Sequence, residues 1–318
     1  LFAILCIGGS FGGGNMFQAN QAYAQLSGQF PMLSGNGPMF GFILAILVGT
    51  VIIGGIKSIA KVTEKIVPFM AVLYVLAASI ILIVHFSEIG NAISLIINGA
   101  FAPSAAFGGF IGVIIQGFRR AAFSNEAGVG SASIAHSATK TNEPVSEGIV
   151  SLLEPFIDTI VVCSVTALVI LSSGVWTEKF DTTFSKTDMV ILDGIYSDKE
   201  NIDGNYLYPD HMNQLTKYVQ YIDSDVDEYS GVLEIRDGTL ITSDITVLHS
   251  RSIAENVIVT DKEDKSLYTG FLNVENGKVQ DAVTFQGKSL VSSAELTAKA
   301  FSQGIFGQFG GKLVAIAL

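Results

Sequence analysis

"FRRAAFSNEAGVGSASIAH" occupies residues 118–136 and follows the apolar run "GGFIGVIIQG" at 108–117. Arg119, Arg120, Ser124, Asn125 and Glu126 arrive together, and Gly128 and Gly130 follow at once. A charged group at membrane depth is costly unless it is paired or hydrated. Irregular backbone is tolerated there only where it lines a cavity. A helix broken in mid-span meets both conditions, because its unwound centre exposes N–H and C=O groups that can hold a carboxylate or an ion. The stretch therefore predicts a discontinuous span over 104–138 that carries a binding site.

The surrounding composition supports a membrane reading. Residues 40–56 and 66–84 carry no charge, residues 101–118 are uncharged and glycine-rich, and 148–174 carry only Glu154 and Asp158. A spanning helix needs roughly 20 mostly apolar residues, and these stretches lack the polar face of a soluble helix. The acidity lies elsewhere. Residues 176–293 hold 21 acids and 10 bases, while the rest of the 318-residue chain holds eight of each. The net charge of −11 thus belongs to one insert, and no basic patch points to nucleic acid. Cys6 and Cys163 both fall in apolar runs and read as buried packing thiols. Leu1 opens directly into "LFAILCIGG" and the chain closes within "GGKLVAIAL", so the chain reads as a fragment of a longer membrane protein.

Short connections set the orientation. "KSIAKVTEK" (57–65) carries three lysines and 139–147 carries Lys140, whereas 27–38 and 85–109 carry no Lys or Arg. The positive-inside rule places the first two in the cytoplasm and the others outside. The chain is then expected to run outward over 1–23, inward over 40–56, outward over 66–84, through a re-entrant or surface segment over 88–100, inward over 104–138 and outward over 146–174. The insert 176–293 falls outside, and a further helix begins near 296. Three regions follow: a membrane core over 1–175, the insert, and the start of another span over 294–318.

The insert is built differently. "GVLEIRDGTLITSDITVL" alternates around Asp237-Gly238, and Asn276-Gly277 marks a second hairpin. Leu215, Val219 and Ile222 recur at helical spacing. A mainly β domain with one helix is expected, and no period of 20–50 residues is visible along the chain.

Several long motifs carry a family resemblance. "FSNEAGVGSASIAHSA" resembles the signature of the sodium:alanine (alanine/glycine:cation) symporter family. So do "GNMFQAN" (14–20), "GGIKSIAKVTEKIVPFMAVLY" (54–74), "NGAFAPSAAFGGF" (98–110) and "EPFIDTIVVCSVTALVILSSGVW" (154–176). The resemblance covers 1–176 and extends to 296–318, whereas the insert matches nothing in it. It implies an all-α polytopic membrane bundle of the leucine-transporter type, with inverted repeats and a mainly β extracellular insert. The helices here would be the family's third to seventh and the start of its eighth. Ala121 stands where the family usually has a glycine, and Arg119 is additional.

Phe123, Ser124, Asn125, Gly128 and Gly130 are the first candidates for substrate contact. The glycines permit unwound backbone, and Ser124 and Asn125 supply polar groups. Packing of small residues is the alternative. Glu126 can hold a cation or proton, or pair with Arg119 or Arg120. Gln18, near Asn15 and Asn20, can bind a substrate carboxylate or amine, or bond to a neighbouring helix; the family pattern places it in the pocket. Asp158 and Thr159 lie mid-helix, where an acid is a functional candidate by default; pairing of Asp158 with an arginine is the alternative. His136 reads as a packed, hydrogen-bonded histidine. Asp223, Asp225, Asp227 and Glu234 match positions 1, 3, 5 and 12 of a calcium loop, but Glu228 stands at the glycine position. A solvated acidic loop is the default there.

Two functions fit. One is a secondary active symporter importing a small neutral amino acid with Na⁺, or H⁺, by alternating access, without covalent chemistry or an organic cofactor. The other is a membrane sensor whose external domain binds a ligand without transport. A multi-pass protein of a bacterial plasma membrane is expected in either case.

Overall fold

The computed structural model describes residues 1–33, 35–101, 132–199, 207–219, 225–262, 264–280 and 283–303, with Gly307 and Lys312. The signature stretch from Arg119 to Gly130 lies outside the described residues. The chain divides into two units, Leu1–Val175 with Ser293–Leu318, and Trp176–Ser292.

The first unit is helical. α1 (Phe2–Gly9) runs through a π-helical segment, Ser10–Met16, into α2 (Phe17–Gln29). α3 (Gly37–Ile52), α4 (Gly55–Val84), α5 (Phe86–Phe101), the short α6 (Ala132–His136) and α7 (Pro144–Pro155) follow. A second π-helical segment, Phe156–Val162, joins α7 to α8 (Cys163–Ser173). Among the described residues, Gly55–Val84 and the continuous helix Pro144–Ser173 are long and apolar enough to cross a membrane. Gly55 opens α4, so the lysine-bearing 57–65 stretch is helical rather than a loop. Nothing in it breaks a helix, and Thr63 Oγ1 donates back to the Ile59 carbonyl at 3.0 Å.

Much of the apolar surface of this unit points outward. Phe42, Phe69, Ile83 and Leu152 are each about 70% exposed, the reverse of a soluble core. The interior is small: Ala77, Ala78 and Ile81 of α4, Ala92 of α5, Val169 of α8, and Ala298, Ala300 and Phe301 of the last described helix, Ser293–Gln303. Alanines let helix backbones approach closely. One polar link crosses this interior. Tyr74 Oη lies 2.5 Å from Thr166 Oγ1, which donates to the Val162 carbonyl at 2.7 Å, and Phe301 packs on the Tyr74 ring at 5.3 Å.

Among its described residues the second unit contains ten strands and one α-helix. Its strands are β1 (Phe180–Thr183), β2 (Met189–Asp193), β3 (Gly231–Arg236), β4 (Thr239–Leu240), β5 (Ile245–His249), β6 (Ser252–Ile253), β7 (Glu255–Asp261), β8 (Gly270–Glu275), β9 (Lys278–Val279) and β10 (Val283–Ser289). They form a seven-stranded sheet, β1-β10-β7-β4-β3-β8-β9, and a three-stranded sheet, β2-β5-β6. The helix, α9 (Pro209–Val219), lies in the connection from β2 to β3.

This unit is internally duplicated. "YSGVLEIRDGTL" (229–240) and "YTGFLNVENGKV" (268–279) align without a gap. Each is a hairpin whose turn residues, Asp237-Gly238 and Asn276-Gly277, all have φ between +47° and +74°. That is the type I′ requirement. The equivalence extends to individual hydrogen bonds. Tyr229 Oη donates to the Val232 carbonyl at 3.2 Å, and Tyr268 Oη to that of Phe271 at 3.3 Å. Ser230 Oγ accepts the Asn276 N–H, and Thr269 Oγ1 accepts that of Asp237. The Ile191 N–H reaches the Gly277 carbonyl at 2.9 Å, and the Val259 N–H reaches that of Gly238 at 2.8 Å. β2 pairs β5 with Ile191 opposite Val247, and β7 pairs β10 with Val259 opposite Phe285. β2 to β5 therefore repeat as β7 to β10, around a central β3–β8 pair with Leu233 opposite Leu272.

The halves exchange their hairpins. β4 of the first half pairs β7 of the second, and β9 of the second lies against β2 of the first. One core results, from Ile191, Leu233, Ile235 and Val247 together with Val259, Leu272, Val274 and Phe285. The expectation of no repeat is thus corrected. Only four of the twelve aligned hairpin residues are identical, and the first half carries a long excursion, 194–230, where the second has only 262–269. α9 belongs to that excursion. Its Met212, Leu215, Tyr218 and Val219 pack with Val190, Leu192 and Leu248. The second half has Thr260 and Gln286 where the first has Leu192 and Leu248; Gln286 is exposed, whereas Thr260 is buried.

His249 is buried on β5. Its ring stacks on Phe184 at 4.5 Å, its Nδ1 lies 2.8 Å from Ser289 Oγ, and its Nε2 accepts the Ser185 N–H at 3.2 Å. An Nε2 that accepts a backbone N–H belongs to a neutral ring. Burial pushes the imidazole below its ordinary value, and Asp188 only partly opposes this.

Two outcomes follow from this arrangement. Residues 176–292 expressed alone are expected to unfold in urea in one transition. Gly277→Ala should destabilise that unit by about 2 kcal/mol or more, because φ is +67° there and the new Cβ would meet Ile191 O at 3.0 Å and Val190 Cγ1 at 2.6 Å. Two separate transitions would contradict the exchanged core. The second outcome concerns pH. The folded His249 binds a proton less readily than the unfolded one, so stability is full above about pH 6.5 and falls as the pH drops from there toward the folded value. His249→Gln should flatten that acid limb, measured as urea midpoints between about pH 7.5 and 5.

Candidate functional site

Two widened helical turns mark the first unit. In the segment Ser10–Met16, "SFGGGNM", the Phe17 N–H donates to the carbonyl of Gly12, five residues back. In Phe156–Val162, "FIDTIVV", the Cys163 N–H donates to the carbonyl of Asp158, again five back. Their sequences account for them. Three consecutive glycines resist the regular α-helix. Pro155 supplies no N–H to the carbonyl of Ser151, and the next turn widens. π-turns occur frequently at functional sites, because they leave backbone groups outside the regular ladder.

These turns place two of the expected residue groups. Asp158 and Thr159 lie on the second π segment, with Asp158 half-buried and Thr159 exposed. Thr159 also lines an open groove of about 480 Å³, together with Cys163, Ser164, Ala167 and Leu168 of α8 and Ile93 and Ile96 of α5. Cys163 is exposed at this groove, whereas Cys6 is buried, so the reading of both thiols as buried holds only for Cys6. The apolar run around Cys163 signalled a span, but not which side of the helix would be covered.

Gln18 sits in the first turn of α2, directly after the first π segment, and is exposed, as are Asn15 and Asn20. The buried glutamine is Gln25, two turns further on, with 5% of its surface accessible. Its Oε1 and Nε2 have no hydrogen-bond partner among the described residues. The sequence reading passed over Gln25, although its spacing of seven from Gln18 puts both on one helix face.

His136 is hydrogen-bonded. Its Nδ1 lies 2.6 Å from Glu147 Oε1, its Nε2 lies 3.8 Å from Glu154 Oε2, and Thr139 Oγ1 donates to Glu147 at 3.2 Å. The pair ties α6 to the start of α7. Phe123, Ser124, Asn125, Glu126, Gly128, Gly130, Arg119 and Arg120 lie outside the described residues, as does Asp223. Of the remaining calcium-loop candidates, Glu234 is on β3 and paired with Arg236 at 2.9 Å. Asp225 and Asp227 precede that strand. No group of three or more His, Cys, Asp or Glu side chains suited to a metal ion occurs among the described residues.

Comparison with known proteins places this architecture. The model of the sodium:alanine symporter family matches residues 1–195. The match runs past 176 and includes β1 and β2, so the start of the insert is not outside the family pattern. The sodium/alanine symporter AgcS of Methanococcus maripaludis is 46% identical over 175 residues, covering 54% of this chain and 38% of that protein. The transporter YflA of Bacillus subtilis is 42% identical over 169 residues, covering 52% and 35%. The sodium/proton-dependent alanine carrier protein of Bacillus sp. strain PS3 is 36% identical over 134 residues, covering 42% and 30%. The chain spans about a third of the length of these relatives, from 30% to 38%. No solved structure gives a significant match. The matched residues include both π segments, and the family and these relatives are membrane transporters, not enzymes. The chain belongs to the sodium:alanine symporter family.

Proposed function

We propose that the complete protein imports a small neutral amino acid of the alanine or glycine type with Na⁺, or with H⁺, by alternating access. The observation that carries this reading is the coincidence of the family match with two π-helical turns. They stand beside Gln18 and at Asp158–Thr159. A symporter needs polar backbone and side-chain groups inside an apolar bundle, and widened or broken turns supply them.

In this reading the span containing Phe123, Ser124, Asn125, Gly128 and Gly130 holds the substrate together with Gln18. Glu126, Arg120, Asp158 and Thr159 hold the ion or balance charge. The core takes the leucine-transporter-type inverted-repeat arrangement, and the insert lies outside a bacterial plasma membrane. Binding of ion and substrate from one side shifts the population between outward- and inward-facing states, and the ion gradient supplies the free energy. No bond is made or broken.

Radiolabelled alanine uptake into proteoliposomes containing the full-length protein should depend on an inward Na⁺ or H⁺ gradient. Asn125→Ala should lower kcat/KM by at least about tenfold, the loss of roughly 1.4 kcal/mol of binding. Saturable alanine binding without uptake would instead favour a sensor. Pro155→Ala restores a backbone donor and should return the π segment to regular α-helix, turning Asp158 and Thr159 relative to α5. Gradient-driven uptake should then fall several-fold, while the melting temperature in detergent stays level or rises; unaltered uptake would remove the π turn from the mechanism.

A further inference from the structure

Gln25 poses a problem that the transport reading has not used. The residue is 95% buried, on a helix that packs against α3 and against the helix Ser293–Gln303. Burying an amide without a hydrogen bond is unfavourable, and an apolar side chain of similar size would remove that cost. Neither Oε1 nor Nε2 is bonded among the described residues. The residue does not stand alone. Gln18, Gln21, Gln25 and Gln29 follow one another at spacings of three, four and four in α2. At about 3.6 residues per turn they fall on one face. Gln25 lies roughly 10 Å along the axis from Gln18, at 1.5 Å per residue.

The chemistry of the amide selects a ligand. A carboxamide offers donors on nitrogen and an acceptor on oxygen, and here both ends are unbonded. A bare cation would engage only the oxygen, and an anion only the nitrogen. A zwitterionic α-amino acid engages both, with its carboxylate accepting from Nε2 and its ammonium donating to Oε1. We propose that Gln25 is a second contact for the amino-acid substrate, on the same face of α2 as Gln18 and displaced toward the end of the helix at Gln29. This assignment rests on the transport reading for the identity of its ligand. Because the amide is covered, α2 must part from a neighbouring helix to admit the substrate, so the contact belongs to one state of the transport cycle.

The test uses full-length protein in proteoliposomes and radiolabelled alanine. Gln25→Leu should raise the KM for alanine at least tenfold, while its melting temperature in detergent equals or exceeds that of the wild type. Gln25→Asn, which keeps the amide but draws it back by one methylene, should give an intermediate KM. A KM within twofold of wild type in Gln25→Leu overturns the proposal and leaves the amide a structural group satisfied by water. If Gln25→Leu does not fold, Gln25→Asn decides by the same twofold limit. If the wild type moves no alanine, the transport reading fails, and equilibrium binding of labelled alanine decides Gln25 separately. Weakened binding in the variant upholds the contact, and unchanged binding overturns it.

Discussion

Every backbone N–H and C=O must find a partner, and the two units solve this in different media. In hydrocarbon no water is available, so the chain of the first unit closes its hydrogen bonds within helices. Its large side chains can then face outward, as Phe42, Phe69 and Ile83 do, while alanines fill the contacts between helices. Pro68 lacks a backbone donor inside α4, and among the described helices the ladder widens at Ser10–Met16 and at Phe156–Val162. Both retain hydrogen bonds, now five residues long. They therefore add polar character to an apolar bundle without leaving backbone groups wholly unpaired.

The second unit meets the same requirement by pairing strands, and its duplication shows how. A hairpin satisfies one edge of each strand and leaves the other edge open. Each half lends its hairpin to the other, so that the β7 edge is met by β4 and the β2 edge by β9. Neither half can complete its sheet alone. The excursion that carries α9 breaks the symmetry. Leu192 and Leu248 stand under the helix, and their equivalents are Thr260, which is buried, and Gln286, which is exposed.

Glutamine 25 and histidine 249 represent two outcomes for a buried polar group. His249 has partners on both ring nitrogens and a stacked Phe184, and stays neutral. Gln25 has none among the described residues. The first pattern belongs to a structural group that has been accommodated. The second is the pattern from which a substrate contact is proposed.

The sequence by itself determined the class of each unit. Uncharged runs of spanning length, three lysines in one short stretch and Gly-rich breaks identify a membrane bundle, and alternating runs around Asp237-Gly238 and Asn276-Gly277 identify hairpins. These signals are local, set by helix length, turn chemistry and period two. The family was legible for the same reason, since its motifs are contiguous. Tertiary structure alone decided which glutamine of α2 is buried and that Cys163 is exposed beside a groove. It also decided that the two hairpins belong to exchanged halves. Each of these depends on partners distant in the chain, and hydrophobic periodicity names the face a residue occupies without naming what will cover it.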